Sequence, residues 1–340
     1  MPKVSVVMAV YNGQQHLPAA LYSLWRQTLT DFELLVVDDG STDDTAQILT
    51  DCTDPRLRVL ANPSQQGLAA SLNTGLQQAV GEYVARMDHD DICLPPRLEL
   101  QARYLDKHPD IDILGSWART IGTEREQVWA YPTHDADIRS ELIFNPVLVH
   151  SSVMLRRTRF DPDGFQYDQR LARAQDYDLW VRAADELRFA NLDEVLLLYR
   201  LHPNQVGQQF GHVQQEIAEQ IRLRQLQRMG LSPSQAEVEM HHAISHWQYP
   251  QGRVGLEQLE DWFSALRTAN RASGVFPAAA FDAALERRWW AACRANVSLG
   301  IEAWRRYLDF GRVLGSPRSL VDKATFGIKA ALRQLGWRRA

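Results

Sequence analysis

From Val4 to Val10 the residues are almost uninterruptedly apolar and largely β-branched, as in a strand covered on both faces of a parallel sheet. Tyr11-Asn12-Gly13 then turns the chain, and Pro18 suits the first turn of a helix that buries Leu17, Ala20, Leu21 and Leu24. Phe32 to Val37 predicts a second strand, ending in Asp38-Asp39-Gly40-Ser41-Thr42-Asp43-Asp44. Ser41 or Thr42 is placed to cap the next helix, and the early acids favour its N-terminal dipole. Leu57 to Leu60 is a short third strand, followed by a loop from Asn62 to Gly67. Leu68, Leu72, Leu76 and Ala79 recur every three or four residues, so the spacing predicts a helix from Leu68 to Val80 ending at Gly81. Gly81 to Asp91 reads as a fourth, buried strand that stops in a knot of carboxylates.

Four strands alternate with three helices here, which predicts a parallel sheet with helices on its faces. Such sheets bind ligands outside the carboxyl ends of their strands. Tyr11-Asn12, Asp38-Asp39, Asn62 and Asp88-Asp90 all fall at those ends. In an extended chain, positions i and i+2 share a side, so Asp88 and Asp90 converge while Asp91 points away and serves as a structural cap. Carboxylates so close repel one another unless a cation or proton intervenes, and oxygen ligands suit Mg²⁺ or Mn²⁺. An acidic turn opening onto Leu94-Pro95-Pro96 is the plain alternative.

Past Pro96, Leu98, Leu100, Tyr104 and Leu105 continue a helix, and Ile111 to Trp117 predicts a strand. Val147 to Leu155, around His150-Ser151-Ser152, predicts another. Ala174 to Arg182 begins a helix with an acidic first turn, and Val195 to Leu201 is a last apolar strand before His202. After Asn204 the composition turns Gln-rich and then rich in Leu, Ala, Trp and Arg at helical spacing. One helix is marked by Ile217, Ile221 and Leu226, another by Leu256 to Leu266, a third by Trp290, Val297, Ile301 and Trp304. The composition shift predicts a boundary near 205–212, dividing an α/β region over 1–208 from a helical region over 209–340.

Composition narrows the partners. A formal charge of −5 gives no reason to expect nucleic acid. Cys52, Cys93 and Cys293 are too scattered for a disulfide framework or a zinc site, as in a cytosolic protein with reduced thiols. The apolar start is short and lacks a small-residue cleavage site, and no run is long enough to span a bilayer, so a soluble or peripheral protein is expected. Tyr11-Asn12-Gly13-Gln14-Gln15 does not supply the Gly-x-Gly-x-x-Gly of a nucleotide-dependent oxidoreductase, and no Gly-Lys-Ser/Thr phosphate loop is present.

The ordered set VSVVMAVYNG (4–13), FELLVVDDGSTD (32–43), Asn62 and Gly67 to Leu76, GEYVARMDHDD (81–91), QDYDLW (175–180) and YRLH (199–202) resembles family 2 glycosyltransferases, over roughly residues 3–205. The resemblance implies an inverting enzyme of the GT-A fold, a Rossmann-like, mostly parallel sheet covered by helices, with 1–208 as the catalytic domain, its first 92 residues facing the nucleotide and 93–208 the acceptor. It implies that Val10 and Tyr11 lie against a nucleotide base, that Asp39 accepts a ring N–H as uracil or thymine offers, and that Asp38 and Asn62 line the same site. Asp88 would face the ribose or the metal, Asp90 would bind Mn²⁺ or Mg²⁺, and His202 would complete the metal site. Asp176 matches the general base, with Asp178 as its rival; Gln175 departs from the acidic residue usual before it. His150 lines an acceptor pocket or is a buried, hydrogen-bonded histidine. The donor implied is a nucleoside-diphosphate sugar, the acceptor a saccharide or lipid-linked saccharide of a cell-surface polysaccharide. An inactive, glycosyltransferase-like scaffold is the competing class, and retention of Asp88, Asp90, Asp176 and His202 argues against it.

From Gly311 the cations Arg312, Arg318, Lys323, Lys329, Arg333, Arg338 and Arg339 face Asp322 alone, interleaved with Leu314, Leu320, Val321, Phe326, Ile328, Leu332, Leu335 and Trp337. A helix from about Ser319 is expected, resting on the anionic inner face of the cell membrane or docked on protein with its charges solvated.

Overall fold

A computed structural model describes residues 1–160, 163–202 and 211–335. They form two compact units, Met1–Ile138 with Pro146–Ala218, and Arg139–Asn145 with Glu219–Ala340. The division expected at 208/209 lies outside the described residues.

In the first unit, strands β1 (Val4–Val10), β2 (Phe32–Asp38), β3 (Leu57–Ala61) and β4 (Tyr83–Arg86) alternate with helices α1 (Leu17–Trp25), α2 (Thr45–Asp51) and α3 (Leu68–Gln78). β1 runs parallel to both β2 and β4, and β2 parallel to β3. Every residue of β1 and β2 is buried, as an apolar run flanked by helices requires. The chain builds outward from β1 to β3, then crosses to β4 on the other side of β1. That reversal opens a crevice at the carboxyl ends of β1 and β4, where ligands bind in open α/β sheets.

The rest of this unit adds β5 (Ile92–Cys93), α4 (Arg97–Lys107), β6 (Ile113–Ile121), β7 (Val128–Trp129), α5 (Asp135–Glu141), in which the chain leaves for the second unit, then β8 (Met154–Arg156), α6 (Gln175–Ala183) and β9 (Phe189–Arg200). The sheet order is β3-β2-β1-β4-β8-β6-β9-β5, with β7 on β6. β8 is antiparallel to β4 and β6, and β5 to β9, so the sheet is mixed. Its core runs from Val4 through Leu17, Phe32, Tyr83 and Leu98 to Leu197.

Three local expectations give way. The fourth strand ends at Arg86, and Asp88 to Asp91 form a turn. His150–Ser152 is a 3₁₀ turn and only Met154–Arg156 joins the sheet; the Ser152 hydroxyl donates to Val149 O at 2.9 Å, a local bond that competes with a ladder. α2 starts at Thr45, so Ser41 and Thr42 cap no helix there.

The second unit is helical: α7 (Gly211–Arg228), α8 (Gln235–Ser245), α9 (Gly252–Ser273), α10 (Ala278–Ala295), α11 (Ile301–Val313) and α12 (Leu320–Gln334). The third helix expected is two, broken by a 3₁₀ turn at Val297–Leu299 and by Gly300 at φ 64°. Leu256, Trp262, Phe263, Phe281, Trp289, Tyr307 and Phe326 share its core with Ile143 and Phe144. Segment Arg139–Asn145 is bound into this unit: Glu141 pairs with Arg287 at 2.6 Å and Arg288 at 2.8 Å, and Arg222 donates to Phe144 O at 2.6 Å. Among the described residues no helix is long and apolar enough to cross a membrane.

Candidate functional site

The first three strand ends are tied into one frame. Val10 is buried, and its carbonyl accepts from Asp39 N at 2.8 Å; Tyr11 beside it is exposed. Asn12 takes a left-handed φ of 51°, and its side-chain oxygen accepts from Thr42 N at 2.8 Å while Ser41 Oγ accepts from Asn12 N at 3.0 Å. Ser41 and Thr42 thus hold the Tyr11–Gly13 turn. Asp38 accepts from Ser41 N at 3.0 Å, closing its own turn. Asp39 receives Asn62 Nδ2 at 2.7 Å, Gln66 N at 2.8 Å and Gly67 N at 2.8 Å. A carboxylate has about four acceptor positions, so Asp39 organises the 62–67 loop and keeps room for one more donor.

The turn after β4 gathers acid. Asp88, Asp90 and Asp91 bring oxygens within 4.8 Å of one another. Since the strand has ended, alternation no longer applies, and Asp91 turns toward the cluster rather than away. It is fully buried, accepting from Ser151 Oγ and, at 2.8 Å, from Arg200 N. Burial, then the charges of Asp88 and Asp90, push its pKa well above the usual carboxylate range. Asp90 meets His202 Nε2 at 3.0 Å, and the His202 ring rests on His16 with centroids 4.8 Å apart. β9 supplies this side: Arg200 Nε donates to Asp90 O at 2.8 Å. Asp88 is paired with the buried Arg86. Arg97, buried beneath, donates to Arg86 O at 2.8 Å and fixes the end of β4.

The first turn of α6 presents Asp176 and Asp178 differently. Ala174 precedes it at φ 53°, a left-handed position, and no side chain caps the helix. Asp178 is 1% exposed and bound by Arg182 Nε at 2.7 Å. Asp176 is half-buried; desolvation raises its pKa, while backbone N–H groups and the charge of Arg86 pull it partly back. His150 Nε2 lies 2.7 Å from the Tyr167 hydroxyl, and Tyr167 is clamped by Asn73, which donates to its carbonyl at 2.9 Å and accepts from its N–H at 3.0 Å. Burial, then the Arg86 charge, hold His150 well below the usual imidazole range, so it is neutral at neutral pH.

Arg86, paired with Asp88, also bears electrostatically on Asp176, His150 and Tyr167, so the acidic turn and the start of α6 feel one common charge. Neither Arg86 nor Tyr167, Ser151, Arg200 or His16 stands out in the sequence. Arg86, a cation two residues before Asp88 in an otherwise apolar strand, could have been found by that placement; Tyr167 has no local signal.

The family model for glycosyl transferase family 2 matches residues 5–162. An uncharacterized glycosyltransferase of Haemophilus influenzae is 31% identical over 234 residues, 65% of this chain and 72% of that one. The chain belongs to glycosyltransferase family 2. A second relative, the Escherichia coli UDP-Glc:alpha-D-GlcNAc-diphosphoundecaprenol beta-1,3-glucosyltransferase WfgD, is 30% identical over 52% of this chain and 68% of its own. Among solved structures, Staphylococcus aureus TarS 1-349 in complex with UDP-GlcNAc superposes with a TM-score of 0.57 at 22% identity, covering 99% of this chain and 93% of that one. The fold is GT-A, with a C-terminal helical region, and the protein is a glycosyltransferase.

Proposed function

We propose that this glycosyltransferase moves a sugar, with inversion, from a nucleoside-diphosphate sugar to a saccharide or lipid-linked saccharide acceptor in cell-envelope polysaccharide synthesis. The observation that carries the reading is the cluster of Asp88, Asp90 and Asp91, with His202 on Asp90, at the carboxyl edge of the sheet, and the charges of Arg86 and Asp88 that bear on Asp176 support it. Val10, Tyr11, Asp38, Asp39 and Asn62 form the nucleotide side, and the acceptor position left on Asp39 favours the ring N–H of UDP or dTDP.

Clustered carboxylate oxygens with an imidazole at 3.0 Å fit Mn²⁺ or Mg²⁺, and Asp88, Asp90 and His202 would hold it. When bound, such a cation supplies positive charge against the leaving diphosphate. Asp176 takes the proton of the acceptor hydroxyl as that oxygen bonds to the anomeric carbon. The bond from that carbon to the diphosphate oxygen breaks on the opposite face, which inverts the centre. The raised pKa of Asp176 makes it a stronger base than an exposed carboxylate. Asp178, held by Arg182, keeps the helix start in place, and His150 with Tyr167 borders the acceptor side.

The relative named for an undecaprenol-linked substrate supports a lipid-linked acceptor, and the basic C-terminal segment supports work at the cytoplasmic face of the membrane. A thermal-shift panel of nucleoside diphosphates with Mn²⁺ tests the donor assignment through linkage. UDP or dTDP should raise the melting temperature with Mn²⁺ and much less without it; stabilisation by GDP alone would overturn the base assignment.

A further inference from the structure

Helix α12 has two unlike faces. Phe326 and Ala330 are buried, and Trp304 Nε1 donates to Lys323 O at 2.9 Å, so one face is docked within the helical unit. The other lies open: Leu320 is 84% exposed, Val321 73%, Ile328 62% and Leu335, at the C-terminal cap, 79%. At 3.6 residues per turn, Leu320, Val321, Ala324, Ile328 and Leu335 fall within an arc of about 100°. Single exposed aliphatic residues are ordinary on a protein surface, but a contiguous stripe of them marks a surface that binds something. Lys323 borders the stripe on one side and Lys329 on the other, in a segment whose acid is Asp322 alone.

We infer that this face of α12 lies in the headgroup layer of an anionic membrane, with Leu320, Val321, Ile328 and Leu335 among the acyl chains and Lys323 and Lys329 at the lipid phosphates. The flanking charge decides the occupant. A second copy packed on the same stripe would bring like-charged lysines together, whereas anionic lipid neutralises them. The inference deepens the lipid-linked acceptor reading and rests on it for its purpose: an enzyme held at the bilayer works where such an acceptor resides. Membrane binding itself is measured separately.

The test is co-sedimentation of the full chain with phosphatidylcholine vesicles, with and without phosphatidylglycerol, at low and high salt. The full chain should bind the anionic vesicles and be released by salt. V321S/I328S, which leaves every charge in place, should lower the partition coefficient about tenfold or more, and K323E/K329E should also lose binding. These side chains are exposed or border the exposed stripe, and the melting temperature confirms that each variant folds. Absence of sedimentation in the wild type overturns the inference, as does equal binding by V321S/I328S. A wild-type dimer in light scattering that V321S/I328S converts to monomer, without vesicle binding, would assign the stripe to a second copy and also overturn it. Nucleotide-sugar turnover in water should be unchanged in V321S/I328S. Vesicle binding by a chain that turns over no nucleotide-sugar would instead sink the catalytic reading and leave the membrane face standing.

Discussion

Asp176 and Asp178 stand two residues apart in one helical turn and have opposite surroundings. Asp178 has its charge met by Arg182, whereas Asp176 is desolvated and feels the charges of both Arg86 and Asp88. Asp176→Asn should therefore lower the rate of transfer by roughly 10²–10⁴-fold while leaving nucleotide affinity intact, measured by steady-state kinetics and calorimetry. Asp178→Asn should cost stability more than rate. As the proposed base, Asp176 works only when deprotonated, and its pKa is raised above the ordinary carboxylate value, so activity in the wild type should fall with acidification at a higher pH than an ordinary carboxylate would give. Asp39 offers a second residue-scale test. Asp39→Asn places an amide N–H₂ against Asn62 Nδ2, Gln66 N and Gly67 N, all donors, so at least one buried donor loses its acceptor. Unfolding stability should drop by about 1–3 kcal/mol in denaturant melts. Motif order singled out Asp39, but its three partners arrive from a loop more than twenty residues away, which no local pattern reveals.

At the scale of elements, hydrophobic period located β1, β2, β3, α3 and α6 closely, because each is an apolar run or stripe bounded by Gly, Pro or acid. The period misleads where function bends the chain. Asp88 to Asp91 leave the sheet so that Ile92–Cys93 can pair with Leu197 and Leu198 of β9, which brings Arg200 and His202 to the acids. That return strand is too short to read from sequence. The start of α6 shows a similar tension, since Ala174 holds φ 53° with a Cβ in place. Ala174→Gly removes that steric cost and should stabilise the enzyme by up to about 1 kcal/mol, read as a higher melting temperature. A lower melting temperature would show that the Ala174 methyl packs well enough to offset the strain.

For the whole molecule, the site is a cluster of like charges stored at a sheet edge, and its neutralisation should be visible as global stability. Asp91 is raised well above its ordinary range by burial and by Asp88 and Asp90. A group raised in the folded state favours folding at low pH and loses that contribution as pH rises through its folded value. Without a divalent ion the protein should therefore lose stability toward neutral pH at this cluster, and Mn²⁺ should restore it. The Mn²⁺-induced rise in melting temperature should be larger at neutral pH than in mild acid, and absent in Asp90→Ala. Sequence order alone carried the catalytic half, since its strands follow one another with the polar ends on one edge. The helical half carried no motif, and its inclusion of Arg139–Asn145 depends on Glu141 meeting Arg287 and Arg288 far along the chain.

The most direct check of metal-assisted, inverting transfer is an NMR time course of an α-linked UDP-sugar with the enzyme and Mn²⁺, water serving as acceptor. In-line displacement driven by Asp176 gives UDP and the β-anomer as the first free sugar, faster with Mn²⁺ than with chelator and nearly abolished in Asp176→Asn. The α-anomer appearing first, or a rate untouched by both chelator and Asp176→Asn, would contradict it.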